Sequence, residues 1–165
     1  MATLAQPSAT SPAVSNPVRK MWDNLSPLPA GKLLFSIALG RVVPYTGSIR
    51  PRVVELRPGY AKVEMRDQWR VRNHLNSVHA IALANLGETA SGLAMMYDLP
   101  DEARGILTGL SVEYVKKARG LLTAECTCQA PDWRVQREYE LEATVRDEAG
   151  DIVARARPRW LVGPR

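Results

Sequence analysis

Between Val78 and Tyr97 the chain is built from Ala, Leu, Ile, Met, Gly and a few small polar residues, and Glu88 is the only formally charged residue. A helix that is apolar almost all round is normally buried, so this stretch predicts a long internal helix over about 78–97. Ala80, Ala84, Gly87, Ser91 and Ala94 recur at helical spacing and would permit close backbone approach. Gly87 and Gly92 lower helix propensity, so packing must supply the stability.

On either side the period changes to that of strands. Ile49–Leu56 and Tyr60–Arg66 flank Arg57-Pro58-Gly59, a hairpin signal. After the helix come four strand segments, 106–117, 121–130, 134–147 and 151–162, punctuated by Gly120, Pro131-Asp132 and Glu148-Ala149-Gly150. In the last two, Val135, Arg137, Tyr139, Leu141, Ala143 and Val145 alternate with polar residues, and Ile152, Ala154, Ala156, Pro158 and Trp160 alternate with Val153, Arg155, Arg157 and Arg159. A hairpin at 148–150 would bring Arg155, Arg157 and Arg159 near Glu138, Glu140 and Glu142. That reads the arginines as a charge-paired solvated face rather than a phosphate-binding stripe. The predicted class is α+β, an antiparallel sheet around one long central helix.

The N-terminal third is different. Residues 1–15 have few large apolar groups and read as a disordered tail. Asn16-Pro17 is a helix-start signal, followed by Val18, Met21, Trp22 and Leu25 at helical spacing and a break at 26–29. Gly31–Val43 reads as a second helical piece ended by Pro44. The expected organisation is a tail over 1–15, helical segments over 16–44 that cover the main body, and a main domain over 45–165.

Composition narrows the class. Of 165 residues, 45% are hydrophobic and 24% charged, the balance of a soluble globular protein. No apolar run approaches the ~20 residues of a membrane span, and no basic segment followed by an apolar core opens the chain. Cytoplasm is the expected compartment. The net charge of +5 invites a nucleic-acid reading, but zinc-finger spacing, RNP aromatics and long basic runs are missing. An anionic small molecule would use the same excess. Cys126 and Cys128 sit too far apart along a strand for an easy disulfide and read as buried free thiols.

Candidate chemistry centres on Glu88, because a carboxylate is rarely buried unless it is paired or functional. The two histidines, His74 and His79, fall just before it. Zinc ligation by His74, His79 and Glu88 is disfavoured because the Glu lies too far along the helix.

These residues resemble those of hotdog-fold proteins, specifically the acyl-CoA thioesterases of the phenylacetate-degradation type. His79 and Glu88 keep the nine-residue spacing of that family, and Thr89-Ala90 follow the carboxylate. Asn73 falls where the family has its loop Asn, and Tyr114–Gly120 resembles its basic turn. The resemblance spans about 45–162 and implies hydrolysis of acyl- or aroyl-CoA thioesters at a dimer interface. It implies Glu88 as base or nucleophile, the backbone N–H of Ala80 as oxyanion donor, and Lys116, Lys117 and Arg119 toward coenzyme A phosphates. Asn73 is either a substrate- or water-positioning residue or a turn residue. Thr108 is either the hydroxyl that assists the nucleophilic water or a plain strand threonine. The implied partners are the acyl-CoA substrate and further copies of the chain, as a dimer or a dimer of dimers. No cofactor, metal, nucleic acid or membrane is implied. Two departures matter: Ala80-Ile81 stand where the family has Gly-Gly, which leaves open a non-catalytic binder of an acyl or CoA-like ligand. Asp67, before His74-Leu75-Asn76, is an alternative carboxylate.

The chemistry also stands without the resemblance. Thioester hydrolysis needs an oxyanion donor, which a helix N-terminus supplies, and a base or nucleophile, which a desolvated Glu supplies. Ala80 and Glu88 are eight residues apart, about 12 Å along a helix. Antiparallel helices from two subunits would bring one chain's Ala80 beside the other's Glu88.

Overall fold

The computed structural model describes residues 16–165, and the tail expected over 1–15 lies outside them. Asn16 opens the fold with two jobs. Its Oδ1 accepts from the Arg19 N–H at 2.7 Å, capping helix α1 (Pro17–Leu25). Its Nδ2 donates to the carbonyls of Met96, Tyr97 and Leu99 at 3.0, 3.2 and 2.6 Å. The end of the chain's longest helix is thus tied to the start of its first. Tyr97 adds a bond from its hydroxyl to Asp23 Oδ1 at 2.7 Å. We expect Asn16→Ala to lower stability by about 1–3 kcal/mol, because three carbonyls and one amide lose a buried partner. Denaturant unfolding at constant m-value checks it.

Helix α2 (Gly31–Val42) follows, and Pro44 then begins a short helix α3 (Pro44–Ser48) rather than only ending α2. Proline suits a helix's first turn because the amide it lacks would have no partner there. α2 packs into the main body: its Phe35 is fully buried, edge-on to Trp22, in one core with Val53 and Val63.

The strands are β1 (Arg52–Arg57), β2 (Tyr60–Arg66), β3 (Ala103–Tyr114), β4 (Leu121–Thr127), β5 (Arg137–Glu140), β6 (Ala143–Arg146) and β7 (Ile152–Pro164). They form one antiparallel sheet in the order β1-β2-β4-β6-β7-β3, with β5 also on β7. The expected first strand starts later than Ile49, since Ile49 caps α3 and Arg50 takes a left-handed φ of 51°. Lys116 and Lys117 fall beyond β3. The segment expected as one strand over 134–147 is divided at Leu141-Glu142, yet β5 and β6 keep a common register on β7.

The arginine run is only partly as expected. Arg157 meets Glu142 at 3.0 Å, whereas Arg155 sits opposite Thr144 and reaches Glu113 of β3 at 3.4 Å. Arg159 sits opposite Glu140.

Helix α4 (Ala80–Met96) lies across the sheet, touching β2, β4, β6 and β7. Gly87 is required there, because a Cβ would sit 2.5 Å from that of Ala156 on β7. Ser91 accepts from Trp160 Nε1 at 3.2 Å, and Ala94 is fully buried. Ala80, by contrast, stands half-exposed at the helix end instead of packing on the sheet. Small residues in the middle of α4 therefore set the helix-to-sheet distance. Cys126 is buried and Cys128 partly so; both are free thiols, with burial pushing them up to about 12 and about 11. No described helix is long and apolar enough to cross a membrane.

Candidate active site

α4 carries Glu88 on its partly open side, among neighbours that are almost all buried. Among the described residues, no side chain forms an ion pair or hydrogen bond with its carboxylate, and burial raises its pKa above the ordinary 4.5. A carboxylate without a compensating cation is costly to keep charged, which favours a group that exchanges protons near its raised pKa.

The start of α4 is built by the loop before it. His79 is the N-cap: its φ and ψ are −65° and 140°, and its Nδ1 accepts from the Ile81 N–H at 3.1 Å. The imidazole thereby orients the helix start. The Ala80 N–H, one residue earlier, has no backbone or side-chain acceptor among the described residues. Tyr114, at the end of β3, donates its hydroxyl to the Ala80 carbonyl at 3.0 Å. That contact is invisible in the sequence, because it depends on how far β3 runs past the helix end.

Asn73 is engaged as a turn residue. Its Oδ1 accepts from Leu75 N at 2.9 Å and from Ser77 N and Oγ at 3.3 and 3.2 Å. Asp67 is held by Arg72 through contacts of 2.7 and 3.4 Å, so its charge is already balanced. The basic turn is divided in the same way. Lys116 Nζ binds Asp147 at 2.7 Å and Asp151 at 2.6 Å, which takes it out of the set expected to face phosphates. Arg119 donates from Nε to the Asn76 carbonyl at 2.9 Å, beside the α4 start, and Lys117 is exposed.

β3 runs antiparallel to α4, with Tyr114 at Ala80 and Gly105 against Met95. Thr108 lies on β3 between these two points. It occupies the point where the β3–β7 register shifts, and its hydroxyl lies 2.8 Å from Glu138 Oε1 and 3.2 Å from the Arg159 carbonyl. One chain thus gathers Asn73, Ala80, Tyr114 and Arg119 at one end of α4, with Glu88 about two turns away. Among the described residues, no group of three or more His, Cys, Asp or Glu side chains is placed to hold a metal ion.

Comparison with known proteins adds the family. Residues 31–162 match the family described as Domain of unknown function (DUF4442). A solved structural-genomics protein is similar at 32% identity and a TM-score of 0.78, over 90% of this chain and 99% of that one. A Pseudomonas aeruginosa protein described as a probable thioesterase is similar at 23% identity and 0.68, over 84% and 97%. A thioesterase from Staphylococcus aureus subsp. aureus Mu50 is similar at 15% identity and 0.65, over 73% and 99%. No curated protein matches the sequence. The chain belongs to the DUF4442 family and carries the hotdog fold of the thioesterases it resembles.

Proposed function

We propose that this protein hydrolyses acyl- or aroyl-CoA thioesters at a site shared between two subunits. The observation that carries the reading is Glu88: a half-buried carboxylate of raised pKa, without a partner among the described residues, on an otherwise uncharged central helix. The fold relationship to proteins described as thioesterases supports the reaction class. In the reaction, the carboxylate takes a proton from water as the water oxygen bonds to the thioester carbonyl carbon. The Ala80 N–H stabilises the oxyanion, and collapse expels the CoA thiolate, which is reprotonated. With Glu88 as nucleophile instead, its oxygen makes the first bond and water then cleaves the acyl-enzyme anhydride.

The separation of about 12 Å between Ala80 and Glu88 favours contributions from two chains. β3 supports such pairing, since it is a sheet edge that exposes Ile106, Leu110 and Tyr114, and long apolar edges are seldom left uncovered. A dimer, or a dimer of dimers, is accordingly part of the proposal. Release of free thiol from a panel of acyl-CoAs by the purified protein tests the reading, and no turnover of any member removes it. The alternative, a binder without turnover, is favoured by one observation: Ile81, a bulky side chain next to the Ala80 amide, is 52% exposed.

The basic turn gives a separable expectation. Lys117→Ala with Arg119→Ala should raise KM for CoA thioesters and flatten its salt dependence, with kcat nearly unchanged. Lys116→Ala should affect stability instead, because its partners Asp147 and Asp151 lose their cation. Steady-state kinetics at two ionic strengths, with a melting curve for each variant, check both.

A further inference from the structure

Two adjoining cavities, neither lined by Glu88, lie on the α2–β1 side of the molecule. The first is about 320 Å³, with Leu33, Ile37 and Pro51 as its apolar wall. The second is about 360 Å³, with Arg50, Arg52 and Arg66 around it, together with Glu64, Asp67 and Gln68. Arg50 and Arg52 line both, so an apolar groove adjoins a cationic one. Gly40 and Gly47 bring α2 and α3 into backbone contact beside the groove, where a Cβ on Gly40 would stand 3.0 Å from the Gly47 Cα. Leu33 and Ile37 stay 51% and 42% exposed. Asp67 is already paired with Arg72, which leaves three arginines facing one further carboxylate, Glu64.

We propose that these cavities together bind a free fatty carboxylate, its tail against Leu33 and Ile37 and its head on Arg50, Arg52 and Arg66. Guanidinium groups match carboxylates with paired N–H donors, and the neighbouring groove removes the tail from water. From Leu33 to Gly40 the helix offers about 10 Å of wall at 1.5 Å per residue, enough for part of one chain. The concave shape and the Glu64 carboxylate favour a single head group over a densely anionic membrane surface.

Laurate is the probe, titrated calorimetrically into the full chain, with dodecanol as the uncharged control. Arg52→Gln and Ile37→Asn alter exposed side chains, and a melting curve verifies that each variant folds. Laurate should bind saturably, and each substitution should weaken it about tenfold or more. Only Ile37→Asn should weaken dodecanol. Absence of laurate binding, or binding indifferent to both substitutions, overturns the proposal. So does retention on phosphatidylglycerol vesicles in place of laurate binding, or a change of oligomeric state in Ile37→Asn, which would mark the groove as a contact between copies. The readout is binding, so it stands apart from thioester hydrolysis.

Discussion

Glu88→Gln should lower kcat for acyl-CoA hydrolysis by about 100-fold or more, the scale of losing a positioned base or nucleophile. The substitution keeps the side chain's shape and removes only the ionisable oxygen, so the fold should survive. Its effect on stability has a definite sign. The Glu88 pKa is raised by burial above 4.5, so the native state binds this proton more tightly than the unfolded chain does. Wild-type stability therefore declines as pH rises through the interval between the ordinary and the raised values. The variant lacks that decline. Its melting temperature should equal or exceed that of the wild type at neutral pH, and the advantage should vanish toward pH values below the ordinary carboxylate range. A melting temperature reduced at neutral pH, with turnover retained, would make Glu88 structural.

Ala80→Pro should be nearly as damaging to turnover, through a different atom. Ala80 is the first residue of α4, where proline is well tolerated, and His79 before it is already extended at φ −65° and ψ 140°. The ring removes the Ala80 N–H and nothing else that the helix uses. Loss of an oxyanion donor costs about 100- to 1,000-fold in kcat. The Tyr114 contact to the Ala80 carbonyl survives, so the melting temperature should change little. Stopped-assay kinetics and a thermal melt on the same preparation check the pair of expectations. Near-wild-type turnover would place the oxyanion elsewhere.

The central helix was legible because a run of small apolar residues with one charge is a property of composition, and its observed span, Ala80–Met96, lies within the expected 78–97. The succession of strands along the chain after it was legible from period and punctuation, but their order in the sheet was not, because β3 pairs with β7 across the whole meander rather than with β4. Some failures fell where one residue serves two elements. Pro44 ends α2 and starts α3, and Arg50 breaks the run from Ile49 with a left-handed backbone. Within the candidate site, Glu88 could be singled out locally, since its isolation depends on its own neighbours in the helix. Lys116 could not be judged, because the aspartates that occupy it come from a hairpin more than thirty positions away. Asn73 is bound by residues only two to four positions on, and its loop function was readable as one of two options. Tyr114 was missed as a support of the helix start, for its role follows from β3 ending beside Ala80.

The shared site is tested most directly by mixing two inactive variants. Ala80→Pro and Glu88→Gln are purified separately, unfolded together and refolded, so that subunits redistribute. In a shared-site dimer, each mixed pair carries one site with both defects and one with neither. Random mixing should then restore about a quarter of wild-type kcat, since roughly half the dimers are mixed and each holds one intact site. Recovery of that size, absent when either variant is refolded alone, is the predicted result. Activity in the mixture no higher than the mean of the two separate variants would contradict a site built from two chains.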